Sequence, residues 1–145
     1  MTAPEKQLLI RFKDIRIVQL TMTIPDHRLK KAEELEIQLD FDPIFHDDNL
    51  REFDVKFLIK IVNKENTFLF EAQALAMFAT SDSIDDDFKK SAFALINAPA
   101  IAFPYLRAFI STVTLNSGID PVVLPAFNFT NNKNIADRNS ETIKE

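Results

Sequence analysis

Between Phe53 and Phe78 the chain is apolar at every second position: Phe53, Val55, Phe57, Ile59 and Ile61, then Phe68, Phe70, Ala72, Ala74, Ala76 and Phe78. Strand side chains alternate between two faces, so two such runs flanking the polar turn Asn63-Lys-Glu-Asn66 read as a hairpin with one wholly apolar face. The other face of the second run carries Leu69, Glu71, Gln73, Leu75 and Met77. That mixture suits neither bare solvent surface nor full core, and stacking between subunits is one physical account of it.

The same period governs the residues upstream. Leu35, Ile37, Leu39 and Phe41 alternate with Glu36, Gln38 and Asp40 until Asp42-Pro43 stops the strand, and Asp47-Asp48-Asn49 supplies turn chemistry. In the stretch from Gln7 to Thr23 the alternation changes phase between Ile10/Phe12 and Ile15/Ile17, which predicts a bulge or bend near Lys13-Asp14. Pro25-Asp26 ends that strand, and His27 to Lys31 reads as a loop or irregular edge.

After Thr80 the period becomes helical. Ser83 is placed to cap a helix opening with Ile84-Asp-Asp-Asp87, where carboxylates complement unpaired backbone N–H groups, and Phe88, Ala92, Leu95 and Ile96 form its stripe. Ala98-Pro99 and Phe103-Pro104 interrupt it, since proline has no N–H to donate. A second helix is predicted from Pro104, with Leu106, Phe109, Ile110 and Val113 on one face and Gly118 closing it in a left-handed conformation. Ile119 to Phe129 is apolar but holds two prolines, which predicts an extended run across a surface. Together these elements make an α+β fold: one domain over residues 1–129, and a polar, flexible tail over 130–145.

Composition narrows the function. The chain has 145 residues, fourteen Phe, one Tyr, no Trp, no Cys and a single Gly. Phenylalanine adds apolar area with no polar atom to satisfy, so apolar contact without directional demands dominates. One glycine rules out a glycine-rich phosphate loop, and the absence of cysteine removes disulfides and thiolate ligands while fitting a reducing compartment such as the cytosol. His27 and His46 stand in loop-like segments with no serine elbow, and the runs Asp47-Asp48 and Asp85-Asp86-Asp87 lack the spacing of a calcium loop, so neither a catalytic nor a metal site is read. A net charge of −5 disfavours nucleic acid and anionic lipid. The start of the chain does not read as a leader, and no run of eighteen apolar residues is present in the sequence.

One segment goes beyond composition: Asn97-Ala-Pro-Ala-Ile-Ala-Phe-Pro-Tyr-Leu-Arg107, followed by Phe109-Ile110, Gly118 and Pro121-Val-Val-Leu-Pro-Ala-Phe-Asn-Phe129. It resembles the SecB family of export chaperones, which carry a Phe-Pro-Tyr-x-Arg turn into the long helix and a proline-bounded apolar loop ending in Asn-Phe. Ile24-Pro25 and Asn66-Thr-Phe-Leu-Phe-Glu-Ala-Gln73 extend the likeness over the strands, from about Leu9 to Phe129.

The resemblance implies a four-stranded antiparallel sheet packed with C-terminal helices, assembled as a homotetramer that is a dimer of dimers. It implies a cytoplasmic, ATP-independent, non-enzymatic chaperone without cofactor, holding unfolded preproteins in apolar grooves for the Sec pathway and passing them to the export motor ATPase. By position, the client groove would include Phe78, Phe103, Tyr105, Phe109, Val123, Leu124 and Phe127. The contact with the motor would use Leu69 and Glu71, while Gln19 and Thr23 stand where the family has carboxylates. The tail from Thr130 also replaces the family's amphipathic helix. Those departures leave open a dedicated chaperone of a single client, such as an antitoxin, and an oligomeric scaffold without chaperone action.

Overall fold

The computed structural model describes residues 8–25, 34–130 and 142–143. The loop read at 27–31, the start of the chain and most of the tail lie outside these residues. Four long strands form the sheet: β1 (Ile10–Thr23), β2 (Leu35–Phe45), β3 (Glu52–Asn63) and β4 (Leu69–Thr80). A short helix α1 (Asp86–Lys89), a π-helical turn (Phe93–Asn97) and the long helix α2 (Ala98–Asn116) follow, and a two-residue strand β5 (Thr142–Ile143) ends the described chain. All pairings are antiparallel, in the order β1-β4-β3-β2-β5.

The alternating phenylalanines do what their period requires. Phe53 faces Phe78 across β3 and β4, Phe57 faces Ala74, Ile61 faces Phe70, and Phe53, Phe57, Phe70 and Phe78 are fully buried. Alanines opposite large rings let the second layer approach closely. The hairpin turn is fixed by Asn63, itself buried: its Oδ1 accepts from the Thr67 and Phe68 N–H groups at 2.9 and 3.0 Å, and its Nδ2 donates to Thr67 Oγ1 at 2.8 Å. Asn66 takes a positive φ of 56°, as the last residue of such a turn often must. Asn63→Ala strands those buried donors and is expected to lower stability by about 1–3 kcal/mol, read as a shifted urea midpoint with unchanged slope.

β1 has two irregularities. The shift between Phe12 and Asp14 is the bend the sequence predicts, and a second lies between Ile17 and Gln19. Beyond it, Thr21 faces Glu71 and Thr23 faces Leu69.

The helical region corrects the sequence reading in three places. The cap is Asp85, not Ser83: its Oδ1 accepts from the Phe88 N–H at 2.8 Å. Ile84 is buried and its N–H donates to the Leu50 carbonyl at 2.6 Å, so the chain there is tied to the β2–β3 connection and turns helical only afterwards. The predicted stripe from Phe88 to Ile96 is divided between α1 and the π-helical turn, and Ala92 is exposed. Finally, α2 starts at Ala98 and runs through Pro104. Pro99 sits in the first turn, where an N–H has no helical acceptor. Pro104 removes the bond to the Ala100 carbonyl, but both residues are exposed, while Ala102, Phe103, Leu106 and Ile110 press the other face onto the sheet. Packing on both sides of the proline outweighs its local cost of about 3 kcal/mol.

Gly118 closes α2 with φ +86°, as predicted. The residues that follow form an irregular strap over the core. Thr114, fully buried, pins it: its Oγ1 donates to the Ile110 carbonyl at 2.7 Å and accepts from the Val122 N–H at 2.9 Å. Ser111 Oγ donates to the Val122 carbonyl at 2.9 Å. With Val122 held on both sides, Val122 and Leu124 turn inward and Val123 outward. Thr114→Val keeps the shape but leaves the buried Val122 N–H without its acceptor, which is expected to cost about 1–3 kcal/mol in chemical denaturation.

Candidate binding surface

Four of the seven groove candidates fall into two aromatic columns, Phe78 and Tyr105 in one and Phe103 and Phe127 in the other. In the first, Phe78 meets Phe12 edge-on at 5.6 Å, and Phe12 stacks on Tyr105 at 4.4 Å, linking β4, β1 and α2 from the core to a tyrosine that is 51% exposed. In the second, Phe103 of α2 touches Phe127 at 5.1 Å and Phe129 at 5.6 Å, and Phe129 touches Phe41 of β2 at 5.0 Å. Among the described residues no ring contact joins the two columns.

Exposure sorts the candidates further. Phe78, Phe103 and Leu124 are buried and form floor beneath the surface, whereas Tyr105 and Val123 are exposed and Phe109 and Phe127 are half-buried. In a single subunit only the last four offer area to a ligand.

Around Tyr105, the outer face of α2 adds residues that the sequence reading missed. Ile101, Tyr105, Ala108, Thr112 and Leu115 are all exposed and recur at spacings of four, three, four and three. That repeat lays a continuous seam along a helix, as in helices that pack on other helices. Across all nineteen residues of α2 the only charge is Arg107. A helix face meant for water carries several charged residues opposite its apolar stripe, and here Arg107 alone does so. Ile101 escaped notice because starting the helix at Pro104 puts it outside the helix; the spacing itself is plain in the sequence once the helix is extended.

The segment Phe93–Asn116 is by length and composition apolar enough to cross a bilayer, with mean hydropathy 1.4. Its inner residues Ala98, Ala102, Leu106 and Ile110 are wholly committed to the sheet, so it reads as a core helix with a second apolar face.

On the opposite side of the molecule, Leu69, Glu71, Gln19 and Thr23 come together on the outer sheet face, with Thr23 opposite Leu69 and Gln19 opposite Gln73. Lys60 Nζ lies 3.8 Å from Glu71 Oε1. A shallow cavity of about 190 Å³ there is lined by Gln19, Gln38, Asp40, Leu58, Lys60, Glu71 and Gln73, among others. Three amides and a lysine dilute its acidity. Among the described residues, no three His, Cys, Asp or Glu groups converge as metal ligands.

The sequence that builds this fold is matched over residues 12–132 by the family model described as preprotein translocase subunit SecB. The chain belongs to the SecB family. Protein-export protein SecB of Anaplasma marginale is 30% identical over 69 residues, 48% of this chain and 39% of that protein. An uncharacterized protein of Methanocaldococcus jannaschii is 47% identical over 53 residues, 34% of each chain. The matched stretches thus span well under half the length of these relatives. Among solved structures, a SecB-like chaperone of Mycobacterium tuberculosis in complex with an antitoxin peptide superposes with a TM-score of 0.65 at 15% identity, covering 82% of this chain and 88% of that one. This likeness shows a SecB-like fold over most of the chain.

Proposed function

We propose that this SecB-family chain is an ATP-independent holdase: it binds unfolded or precursor polypeptides on the apolar surface of α2 and the strap, as part of a homotetramer arranged as a dimer of dimers. The observation that carries the reading is the apolar outer seam of α2, a helix whose one charge in nineteen residues is Arg107. Its exposed Ile101, Tyr105 and Leu115, with Val123 of the strap, are large apolar groups left over after the sheet has been covered. Burying such area yields about 25 cal/mol per Å² with no directional demand. A surface of this kind accepts many sequences and rejects folded proteins, whose apolar groups are already hidden. No chemistry is asked of it.

The seam along α2 suits a second copy, while Tyr105, Phe109, Val123 and Phe127 at its margin suit an extended client. Several such margins on one assembly would retain a long client by effective concentration. The purified chain is expected to suppress aggregation of a chemically denatured client without nucleotide, measured by turbidity. Unchanged client aggregation at molar excess of the chain would sink the reading.

Delivery to the export motor through Leu69 and Glu71 is one continuation. A dedicated single-client chaperone is the other, and a specific observation favours it: Gln19 and Thr23 leave the sheet face with fewer carboxylates to steer a basic partner. The solved relative from Mycobacterium tuberculosis holds an antitoxin peptide. Affinity purification from the native host separates the two: export relies on many clients and the motor, a dedicated chaperone on one stoichiometric partner.

A further inference from the structure

We propose that the cavity on the outer sheet face is a docking site for a neutral carboxamide, the side chain of an asparagine or glutamine carried on an extended partner segment. The site lies on the face of the sheet away from α2, so the inference goes beyond the holdase reading and does not depend on it. The cavity, about 190 Å³, takes its lining from all four long strands. Gln19 of β1 stands opposite Gln73 of β4, Gln73 opposite Leu58 of β3, and Gln38 of β2 opposite Lys60 of β3. The buried residues Ile59 and Ala72 form its floor.

The second irregularity of β1 has its effect here. Ile15 faces Ala76 and Ile17 faces Ala74; continued unbroken, that ladder would set Val18 against Gln73 and turn Gln19 inward against Ala72. The shift after Ile17 instead sets Gln19 against Gln73 and Leu20 against Ala72, and leaves Val18 exposed. A bulge re-aims side chains, often beside functional sites, and this one exchanges a valine for an amide at the cavity's edge.

Charge then selects the ligand. Glu71 lies 3.8 Å from Lys60 Nζ, and Asp40 already has a partner of its own. A basic side chain entering the cavity meets Lys60, and an acidic one meets Glu71. What remains is three amides, each able to donate and to accept, and among the described residues none of them is hydrogen-bonded to another side chain. A primary amide answers both roles with no charge to desolvate. The surroundings favour a polypeptide over a free small amide. Leu69 and Leu75 flank Glu71 and Gln73 along the outer row of β4, and Leu69 faces Val62 of β3. Side chains two apart on an extended chain share a face, so a carboxamide with an apolar residue two positions to each side reaches the cavity and both leucines together.

The test measures binding of short peptides to the full chain by fluorescence anisotropy. Each peptide alternates serine with leucine, and its central leucine is replaced by glutamine, lysine or glutamate. The glutamine peptide is expected to bind about two- to tenfold more tightly than either charged one, the span that one net hydrogen bond represents. Gln73→Ala is expected to abolish that preference, and Gln19→Glu, on the edge strand, to pass it to the lysine peptide. Aggregation suppression by both variants is expected to match the parent chain, because both positions lie on the face away from α2. A parent chain that prefers the lysine peptide would overturn the proposal in favour of a basic partner. Equal binding of all three peptides, or binding of none, would overturn it outright, and in each case aggregation suppression still reports separately on holding.

Discussion

Phe78→Ala is expected to destabilise the fold by about 3–5 kcal/mol, the usual cost of emptying a buried phenylalanine site. Phe78 is fully buried and packs against Phe12 on one side and Phe53, at 5.3 Å, on the other. Two neighbours that are themselves held by strand pairing cannot close the void. In a chain whose total stability is on the order of 5–15 kcal/mol, such a loss shows directly as a lower urea midpoint. Tyr105→Ala at the outer end of the same column is expected to behave oppositely. Half of that ring already meets solvent, so stability is expected to fall by about 1 kcal/mol or less, the scale of an aromatic pair, while the affinity for a denatured client drops. The pair of variants separates floor from surface within one aromatic column.

The second large effect concerns assembly. Ile101→Asp combined with Leu115→Asp places a carboxylate at each end of the α2 seam. Both positions are exposed in the single subunit, 43% and 57%, so the fold itself has little to lose. Against an apolar partner surface, each unpaired carboxylate costs several kcal/mol. The variant is expected to keep its circular dichroism spectrum and urea midpoint, to dissociate to subunits and to lose aggregation suppression. A variant that stays assembled and active would show that α2 does not form the contact.

How far the fold was legible depended on whether local period or distant packing decided each element. The β3–β4 hairpin is written in the alternation of Phe53 to Ile61 and Phe68 to Phe78, because a two-residue period admits one solution. The bend near Asp14 and the closure at Gly118 were equally local, a phase change and a single residue free to take positive φ. The helix start was not. Ser83 has the chemistry of a cap, yet the Ile84 N–H is taken by the Leu50 carbonyl, some thirty residues away in the chain, and no pattern near Ser83 records that bond. Pro104 looked like a beginning for the same reason: its tolerance within α2 comes from Phe103 and Leu106 packing on strands distant in sequence.

That one misplacement had a functional consequence. With α2 begun at Pro104, the stripe Ile101, Tyr105, Ala108, Thr112 and Leu115 has no first member and does not show as a seam. Likewise, resemblance placed Phe78, Phe103 and Leu124 in a groove by their position, but whether a phenylalanine is floor or wall depends on what covers it, and here β1, the strap and α2 do. Thr114, the pin of the strap, carries no sequence signal beyond a hydroxyl on a helix.

The dependence of holding on surplus apolar surface is tested most directly by light scattering on a sizing column, with the chain alone and then with a denatured client. An assembly of four 16.6 kDa chains that gains mass by carrying the client in soluble form is expected. A single 16.6 kDa species that elutes unchanged while the client is lost to aggregation would contradict it.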